Sequence, residues 1–194
     1  LCFDLLEQAG NARGEARVVN HSSIARKQVR KLEAAYLQKT GGNLGGNGAS
    51  MFFGGGRWIR YGQTKLANAA FTACLHKKLQ AKGSKVKAMV AHPGLAETDL
   101  QTTTVKDGGM GEWFTKQLMK MGQSREDGAL GILTCIAHPD AQSGQFFGPG
   151  MGGMFTALKG PAMGFPLETS YDNPETREIL WANSCAAIAE EFNI

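Results

Sequence analysis

The residues best suited to acid–base chemistry are Tyr61 and Lys65, in the stretch "RYGQTKLANAAF". On a helix, residues four apart lie on one face, one turn from each other. A free tyrosine hydroxyl has a pKa of about 10, and a nearby lysine cation lowers it because the cation favours the phenolate. The pair is therefore suited to moving a proton near neutral pH, although many surface helices contain this spacing by chance.

Two further stretches place turn-forming residues where a short apolar segment ends. Ser22 and Ser23 follow "VVNH", and Pro93 and Gly94 follow "VKAMVAH". Such residues at a strand end usually form turns. The carboxyl ends of strands are also where open α/β sheets bind ligands. The pattern therefore indicates one crevice, to which two strand ends and the Tyr61 helix contribute.

Short apolar strands alternate with longer helical patterns along the chain. The predicted strands lie near residues 16–22, 85–91 and 144–148. The predicted helices are a first segment that ends at Gly10 and Asn11, then residues 24–40, 58–82, 109–121, 124–138 and 174–191. This alternation predicts an α/β fold with a parallel sheet. We expect a single domain over residues 1–194, without internal repeats.

The stretch "GGNLGGNGASMFFGGG", residues 41–56, contains eight glycines in sixteen residues. A phosphate-binding loop is one interpretation, but neither GxGxxG nor GxxxxGK[ST] occurs here. A nucleotide loop should also link a buried strand directly to a helix, whereas this stretch follows a basic segment. A flexible surface insertion is therefore favoured.

Composition argues against several classes of protein. The net charge of 21 − 17 = +4 is too small and too scattered to indicate nucleic-acid binding. No apolar run is long enough to span a bilayer, and the first residues do not form a signal peptide. The densest basic stretch is interpreted as a solvated helix face, with an anion-binding or membrane-surface role as the alternative. Its basic residues are Arg26, Lys27, Arg30, Lys31 and Lys39.

The cysteines and histidines are scattered. Cysteines occur at Cys2, Cys74, Cys135 and Cys185, and histidines at His21, His76, His92 and His138. The cysteines form no CxxC pair, which favours reduced thiols and a reducing intracellular compartment, the cytoplasm or an organelle. No metal-ligand spacing is present, so no metal site is predicted.

Taken in order, three motifs resemble the signature of the short-chain dehydrogenases/reductases. They are Asn-x-Ser-Ser after a strand, Tyr-x-x-x-Lys, and His-Pro-Gly-x-x-x-Thr after a second strand; "YGQTKLAN" and "HPGLAET" are similar to the retinol-dehydrogenase-like branch. The resemblance covers nearly the whole chain and implies the C-terminal part of a doubly wound parallel-sheet (Rossmann-like) fold. It implies that Ser23, Tyr61 and Lys65 are catalytic. The cofactor contacts that it implies are Asn20, Tyr61, Lys65, Pro93, Gly94 and Thr98.

The activity implied by the resemblance is the NAD(P)-dependent interconversion of an alcohol and a carbonyl, with NADP favoured and NAD open. Hydride transfer to a carbonyl leaves an alkoxide, and Tyr61 would supply its proton. Lys65 would lower the pKa of Tyr61 and bond the nicotinamide ribose. Ser23 would donate a hydrogen bond to the reacting oxygen. The expected partner is a small-molecule carbonyl or alcohol, and a homo-oligomer is open.

Two features depart from the family pattern. Ser23 and Tyr61 are separated by 37 residues, more than the family leads us to expect, and the excess falls in residues 41–56. The family's first βαβ half, with its pyrophosphate loop and an active-site asparagine, is not among the 194 residues. We therefore expect a fragment of a longer protein that is inactive alone.

Two alternatives stay open. An apolar stripe follows the third motif and indicates either a lipophilic substrate or core packing; it consists of Met110, Trp113, Phe114, Leu118 and Met121. The alternative function is a non-catalytic scaffold or a redox-sensing binding module that keeps the motif residues without turnover.

Overall fold

In the part of the chain that the structure describes, four strands form one sheet with helices on both faces. The computed structural model describes residues 2–38, 44, 55–96, 105–106, 111–150 and 157–194. The strands are β1 Ala16–His21, β2 Val86–Ala91, β3 Gln145–Pro149 and β4 Ala162–Pro166. β1, β2 and β3 pair in parallel in that order, and β4 pairs antiparallel to β3. The predicted α/β fold is confirmed, and the sheet is parallel as predicted at β1, β2 and β3 but not at the antiparallel β4.

The helices surround this sheet. The α-helices are α1 Phe3–Arg13, α2 Gly56–Lys82, α3 Glu112–Met119, α4 Arg125–Ala137 and α5 Pro174–Ile188. The described residues between β1 and α2 include two short 3-10 helices, the first at Ile24–Gln28 and the second at Ala34–Leu37. No helix among the described residues is both long enough and apolar enough to cross a membrane.

β2 carries the core on both of its faces. Val90 packs in one cluster with Leu66 of α2, whereas Met89 and Ala91 pack in another with Cys135 of α4. Alternate side chains of a strand point to opposite faces, so α2 and α4 cover opposite faces of the sheet. A parallel strand buried on both faces is apolar almost throughout, which explains the run "VKAMVA".

The register of β1 and β2 sets the position of the predicted crevice. Ala16 lies opposite Val86 and His21 lies opposite Ala91, so the two strands end level with each other. The backbone N–H of Ser22 then donates to the carbonyl of Ala91 at 2.8 Å. The segments that follow the two strands therefore leave the sheet side by side at one edge.

The predicted helix over residues 24–40 is wrong. The chain forms the two 3-10 helices instead, with a non-helical segment between them. The buried side chain of Gln63 on α2 explains the break. It donates to the carbonyl of Lys31 at 3.0 Å and accepts from the N–H of Glu33 at 3.1 Å. These backbone groups bond across to α2 rather than along a helix.

Helix α1 ends later than predicted. It continues past Gly10 and Asn11 to Arg13, and Gly14 follows with a φ of +93°. Gly10 is a buried helical residue that faces Lys85, where an added Cβ would lie 3.4 Å from the Lys85 Cβ. The glycine that stops the helix is therefore the one in the left-handed conformation.

Strand β4 has no clear signal in the sequence. Its residues "AMGFP" include a glycine and a proline, both of which weaken a strand prediction. The proline is tolerated because β4 lies at an edge of the sheet, paired only with β3 among the described strands. Most of the predicted insertion at residues 41–56 lies outside the described residues, as does Thr98.

Candidate functional site

The two serines that follow β1 make different contacts. Ser22 is fully buried, and its hydroxyl donates to the carbonyl oxygen of Lys65 on α2 at 2.7 Å. Ser23 is 9% exposed, and its hydroxyl oxygen accepts from the N–H of Ala25 at 3.2 Å, which caps the first 3-10 helix. Ser22 commits its proton to a structural bond, whereas Ser23 uses only a lone pair in its capping bond. The geometry therefore favours Ser23 as the serine that can donate to a ligand.

Lys65 lies against the end of β1. Its Nζ donates to the carbonyl oxygen of His21 at 3.4 Å, and the same oxygen accepts from Asn68 Nδ2 at 2.8 Å. Burial lowers the pKa of Lys65. Burial and the nearby Lys65 charge together lower the pKa of His21. A lysine ammonium has three N–H donors, so this long bond to His21 leaves Lys65 able to donate to a ligand.

Tyr61 lies one helical turn before Lys65, as the spacing predicts. The Nζ of Lys65 is 5.7 Å from the centroid of the Tyr61 ring. The Trp58 ring packs edge-to-face on Tyr61 with a centroid distance of 6.0 Å. The phenol ring and the ammonium are therefore neighbours on α2.

Gly62 brings the serine-bearing turn close to this part of α2. A Cβ at Gly62 would lie 3.0 Å from the carbonyl oxygen of Ala25, which belongs to the first 3-10 helix. Ser23 caps that 3-10 helix, and Gly62 directly follows Tyr61 in the sequence. The end of β1 also bonds to Lys65. The structure thus brings all three implied catalytic residues to the carboxyl end of β1.

Asn20 joins the middle of α2 to β1. Its Nδ2 donates to the Thr72 hydroxyl at 2.9 Å, and that hydroxyl donates to the carbonyl of Asn68 at 3.1 Å. Asn68 in turn holds the carbonyl of His21. Asn20 therefore supports the end of β1, which Ser22 and Ser23 follow.

The Pro93–Gly94 turn follows β2 at the same edge of the sheet. Gly94 has a φ of +67°, and a Cβ there would lie 2.4 Å from the carbonyl oxygen of Leu158. That oxygen accepts from the N–H of Leu95 at 2.7 Å. The carbonyl of Pro93 accepts from Gln123 Nε2 at 2.8 Å. Close backbone packing, together with a left-handed conformation, explains why glycine occupies position 94.

His92 is a buried neutral group beside this turn. It is 2% exposed, and its Nδ1 accepts from the N–H of Gly94 at 3.1 Å. Burial lowers the pKa of His92 to about 3, with smaller contributions from the charges of Arg26 and Lys27. Burial thus favours the neutral imidazole, and the bond from Gly94 to its Nδ1 fixes the turn.

Arg26 does not lie on a solvated helix face, so that interpretation is wrong for this residue. It is 2% exposed, it pairs with Glu168 at 2.5 Å, and its guanidinium lies 4.1 Å from the centroid of the Phe146 ring. Its neighbours in the basic stretch, Lys27, Arg30 and Lys31, are exposed as predicted, and Lys39 lies outside the described residues. No local signal in the stretch separates Arg26 from the other basic residues.

Two residues of the apolar stripe after the third motif, Trp113 and Met121, are exposed to solvent. Trp113 is 74% exposed and Met121 is 40% exposed, whereas Leu118 is half-buried. Met110 and the side chain of Phe114 lie outside the described residues. Core packing is therefore the wrong interpretation for Trp113 and Met121.

The four thiols are free. Cys2 is exposed and the other three are buried. Burial raises the pKa of Cys74 and of Cys135 to about 12. Among the described residues, no group of three or more His, Cys, Asp or Glu side chains could hold a metal ion.

Comparison with known proteins bears on the fold. No family model matches the chain. No curated protein matches it either. A crystal structure of an uncharacterized protein from Mycobacterium paratuberculosis is similar, with a TM-score of 0.54 and 24% sequence identity. The match covers 92% of this chain and 52% of that one, so the chain spans about half the length of its structural relative. At this identity the likeness shows the fold alone.

Proposed function

We propose that this chain forms the carbonyl-binding part of an NAD(P)-dependent oxidoreductase of the short-chain dehydrogenase/reductase type, on the C-terminal part of a Rossmann-like sheet. One set of contacts carries the proposal. Ser22 donates to the backbone of Lys65, and Lys65 donates back to the carbonyl of His21. These bonds hold the Tyr61 turn of α2 against the carboxyl end of β1, where α/β sheets bind ligands.

The residues present suit the nicotinamide end of a nicotinamide dinucleotide. Lys65 is a half-buried cation with N–H groups to spare for ribose hydroxyls. The Pro93–Gly94 turn leaves the sheet beside it, at the end of the neighbouring strand. NADP is the favoured cofactor and NAD is the alternative. Comparison of turnover with NADPH and with NADH distinguishes the two.

The side chains have complementary tasks in carbonyl reduction. NAD(P)H supplies the hydride that forms the new C–H bond when the cofactor is bound. Tyr61 gives its hydroxyl proton to the carbonyl oxygen as negative charge grows there, and takes a proton back from solvent. Ser23 donates a hydrogen bond to that oxygen, which is strongest when the oxygen is most negative. Lys65 stabilises the phenolate that Tyr61 becomes. Alcohol oxidation reverses each transfer.

Two observations narrow the proposal. The exposed Trp113 and Met121 support a lipophilic carbonyl or alcohol, because both lie in the segment that follows the Pro93–Gly94 turn. The buried Cys74 and Cys135 have thiol pKa values of about 12, so they hold little thiolate at neutral pH. These thiols give no support to the alternative of a redox-sensing module.

The test uses the full-length protein. NADPH or NADH is mixed with a panel of aldehydes, from benzaldehyde to decanal and retinal, and the loss of reduced cofactor is followed by absorbance. Tyr61→Phe should lower kcat by roughly 10²–10⁴-fold. It should leave the affinity for the cofactor nearly unchanged, because the ring stays in place.

Tyr36→Phe is the matched control, since Tyr36 is a half-buried tyrosine on the second 3-10 helix. It should keep the parent kcat. Equal kcat values for Tyr61→Phe and the parent would refute the role of Tyr61. Tight cofactor binding without turnover of any aldehyde would favour the non-catalytic scaffold instead.

A further inference from the structure

Arg26 is a buried charge at the base of the serine-bearing turn. Its Nη2 bonds to Glu168 Oε1 at 2.5 Å, and Lys27 Nζ lies 3.7 Å from the same oxygen. Glu168 follows β4 in the chain and is 29% exposed at its side chain, against 2% for Arg26. The guanidinium also covers a face of the buried Phe146 ring on β3. Burial on this scale is unusual for an arginine, and the pairing with Glu168 offsets its cost.

The other terminal nitrogen of the same guanidinium bonds to Ser23. Arg26 Nη1 donates to the carbonyl oxygen of Ser23 at 3.1 Å, and the backbone N–H of Arg26 donates to that same oxygen at 3.1 Å. The Ser23 hydroxyl is fixed separately by the N–H of Ala25. The backbone of Ser23 is therefore anchored by a side chain whose other end is tied to a segment 142 residues away.

We propose that Arg26, oriented by Glu168, is the positioning residue for Ser23, fixing the serine hydroxyl relative to Tyr61 and Lys65. This inference rests on the proposed function, because it assigns Ser23 the hydrogen bond to the reacting oxygen. A planar guanidinium meets the requirement, since it bonds a carboxylate and a carbonyl in different directions at once. Arg26 acts through Ser23 and does not itself touch the substrate.

The first test is a kinetic series in the full-length polypeptide, with NADPH and the aldehyde that the parent reduces fastest. Arg26→Met should lower kcat about 10–100-fold, because a displaced donor stabilises the transition state poorly. The KM for NADPH should stay within about twofold of the parent value, since the cofactor contacts are elsewhere. Arg26→Lys keeps the charge, but its single ammonium nitrogen cannot replace the two separate guanidinium nitrogens that reach Ser23 and Glu168. It should therefore keep the fold without recovering the full kcat.

The control is Arg30→Met, which removes an exposed arginine from the same stretch and should keep the parent kcat. Ser23→Ala separates the two proposals. Parent-like kcat in Ser23→Ala would refute the role of Ser23 and therefore the proposed function. A low kcat in Ser23→Ala combined with a parent-like kcat in Arg26→Met would refute the positioning role alone.

The second test needs no turnover. Ser23→Cys is made together with Cys2→Ser, which removes the exposed thiol. The rate of alkylation of the new thiol by iodoacetamide is measured against pH, and the labelled position is confirmed by mass spectrometry. The midpoint of this profile reports the charge beside position 23, because the thiolate is the reactive form.

In this background, Arg26→Met should raise the midpoint, because the cation beside position 23 is lost. Glu168→Gln should lower it, because the glutamine oxygen still accepts the bond that orients Arg26 while the compensating negative charge is gone. Each change should alter the alkylation rate at neutral pH by roughly 3–10-fold, in opposite directions. General loosening of the turn would shift the midpoint of both variants in the same direction, and that result would overturn the proposal. Equal midpoints in all variants would overturn it too. Arg30→Met should leave the midpoint unchanged.

Discussion

Replacement of Gly94 by alanine should destabilise the fold in two ways, through an unfavourable φ and through steric overlap. Comparison with Gly83→Ala separates these two effects. Gly94 and Gly83 both have a positive φ, of +67° and +66°. An added Cβ at Gly83 meets nothing within 4 Å, whereas at Gly94 it would lie 2.4 Å from the carbonyl oxygen of Leu158 and 2.6 Å from Pro149 Cγ. The left-handed conformation is thus common to both sites, and the steric overlap occurs at only one of the two.

The expected magnitudes follow from these contacts. Gly83→Ala should lower the free energy of unfolding by about 1–2 kcal/mol, the cost of an alanine in the left-handed region. Gly94→Ala carries the same cost and must also displace backbone atoms, which adds roughly 1–3 kcal/mol for overpacking. The displaced oxygen accepts the bond from the Leu95 N–H, and weakening that bond adds about 1 kcal/mol. Gly94→Ala should therefore cost about 2–4 kcal/mol more than Gly83→Ala.

Urea unfolding of the parent and both variants measures this difference, with the m-values compared to confirm that the same surface is exposed. A difference below about 1 kcal/mol would refute the reasoning, because it would show that the Leu158 segment moves away at little cost. Equal instability with altered m-values would show instead that the native state itself has changed.

Two further predictions concern His92 and Ser22. Folding lowers the pKa of His92 from 6.5 to about 3. Between these two pH values the unfolded chain binds a proton at His92 and the folded chain does not. The free energy of unfolding should therefore fall by up to about 1.4 kcal/mol per pH unit as the pH drops from 6.5 towards 3. His92→Asn should remove that part of the slope in urea titrations from pH 7 to 4, and an unchanged slope would contradict the buried neutral imidazole. Ser22→Ala should cost about 1–2 kcal/mol of stability through the lost bond to Lys65. Ser23→Ala should cost less stability but more kcat, and the reverse order would exchange the roles of the two serines.

The helices and buried strands are predictable where short-range chemistry decides them. The pattern over residues 58–82 predicts α2, which runs from Gly56 to Lys82 and stops at the left-handed Gly83. Ser124 caps α4 by accepting from the N–H of Asp127 at 3.0 Å, and serine is among the residues most favoured at this position. Helix ends depend on groups within about four residues, so the local sequence contains the information they require.

The same short-range reasoning fails between β1 and α2. Residues 24–40 have helix-compatible composition, but Gln63 bonds the backbone of Lys31 and Glu33 from another element. A backbone group that finds its partner across the fold no longer needs one four residues away. Strand β4 was not predicted for a related reason. Its pairing with β3 outweighs the low strand propensity of its own residues.

The candidate site divides along the same line. The residue types and their order can be read along the chain: a serine pair after one strand, then Tyr61 and Lys65 on one helix face, then a glycine turn after the next strand. Which serine keeps a free proton depends on packing, because Ser22 donates to a residue of α2 that lies 43 positions further along. The burial of Arg26 also depends on packing, since its carboxylate partner lies 142 residues away. Burial and pairing between residues so far apart depend on how the helices and strands pack, so the local sequence does not predict them.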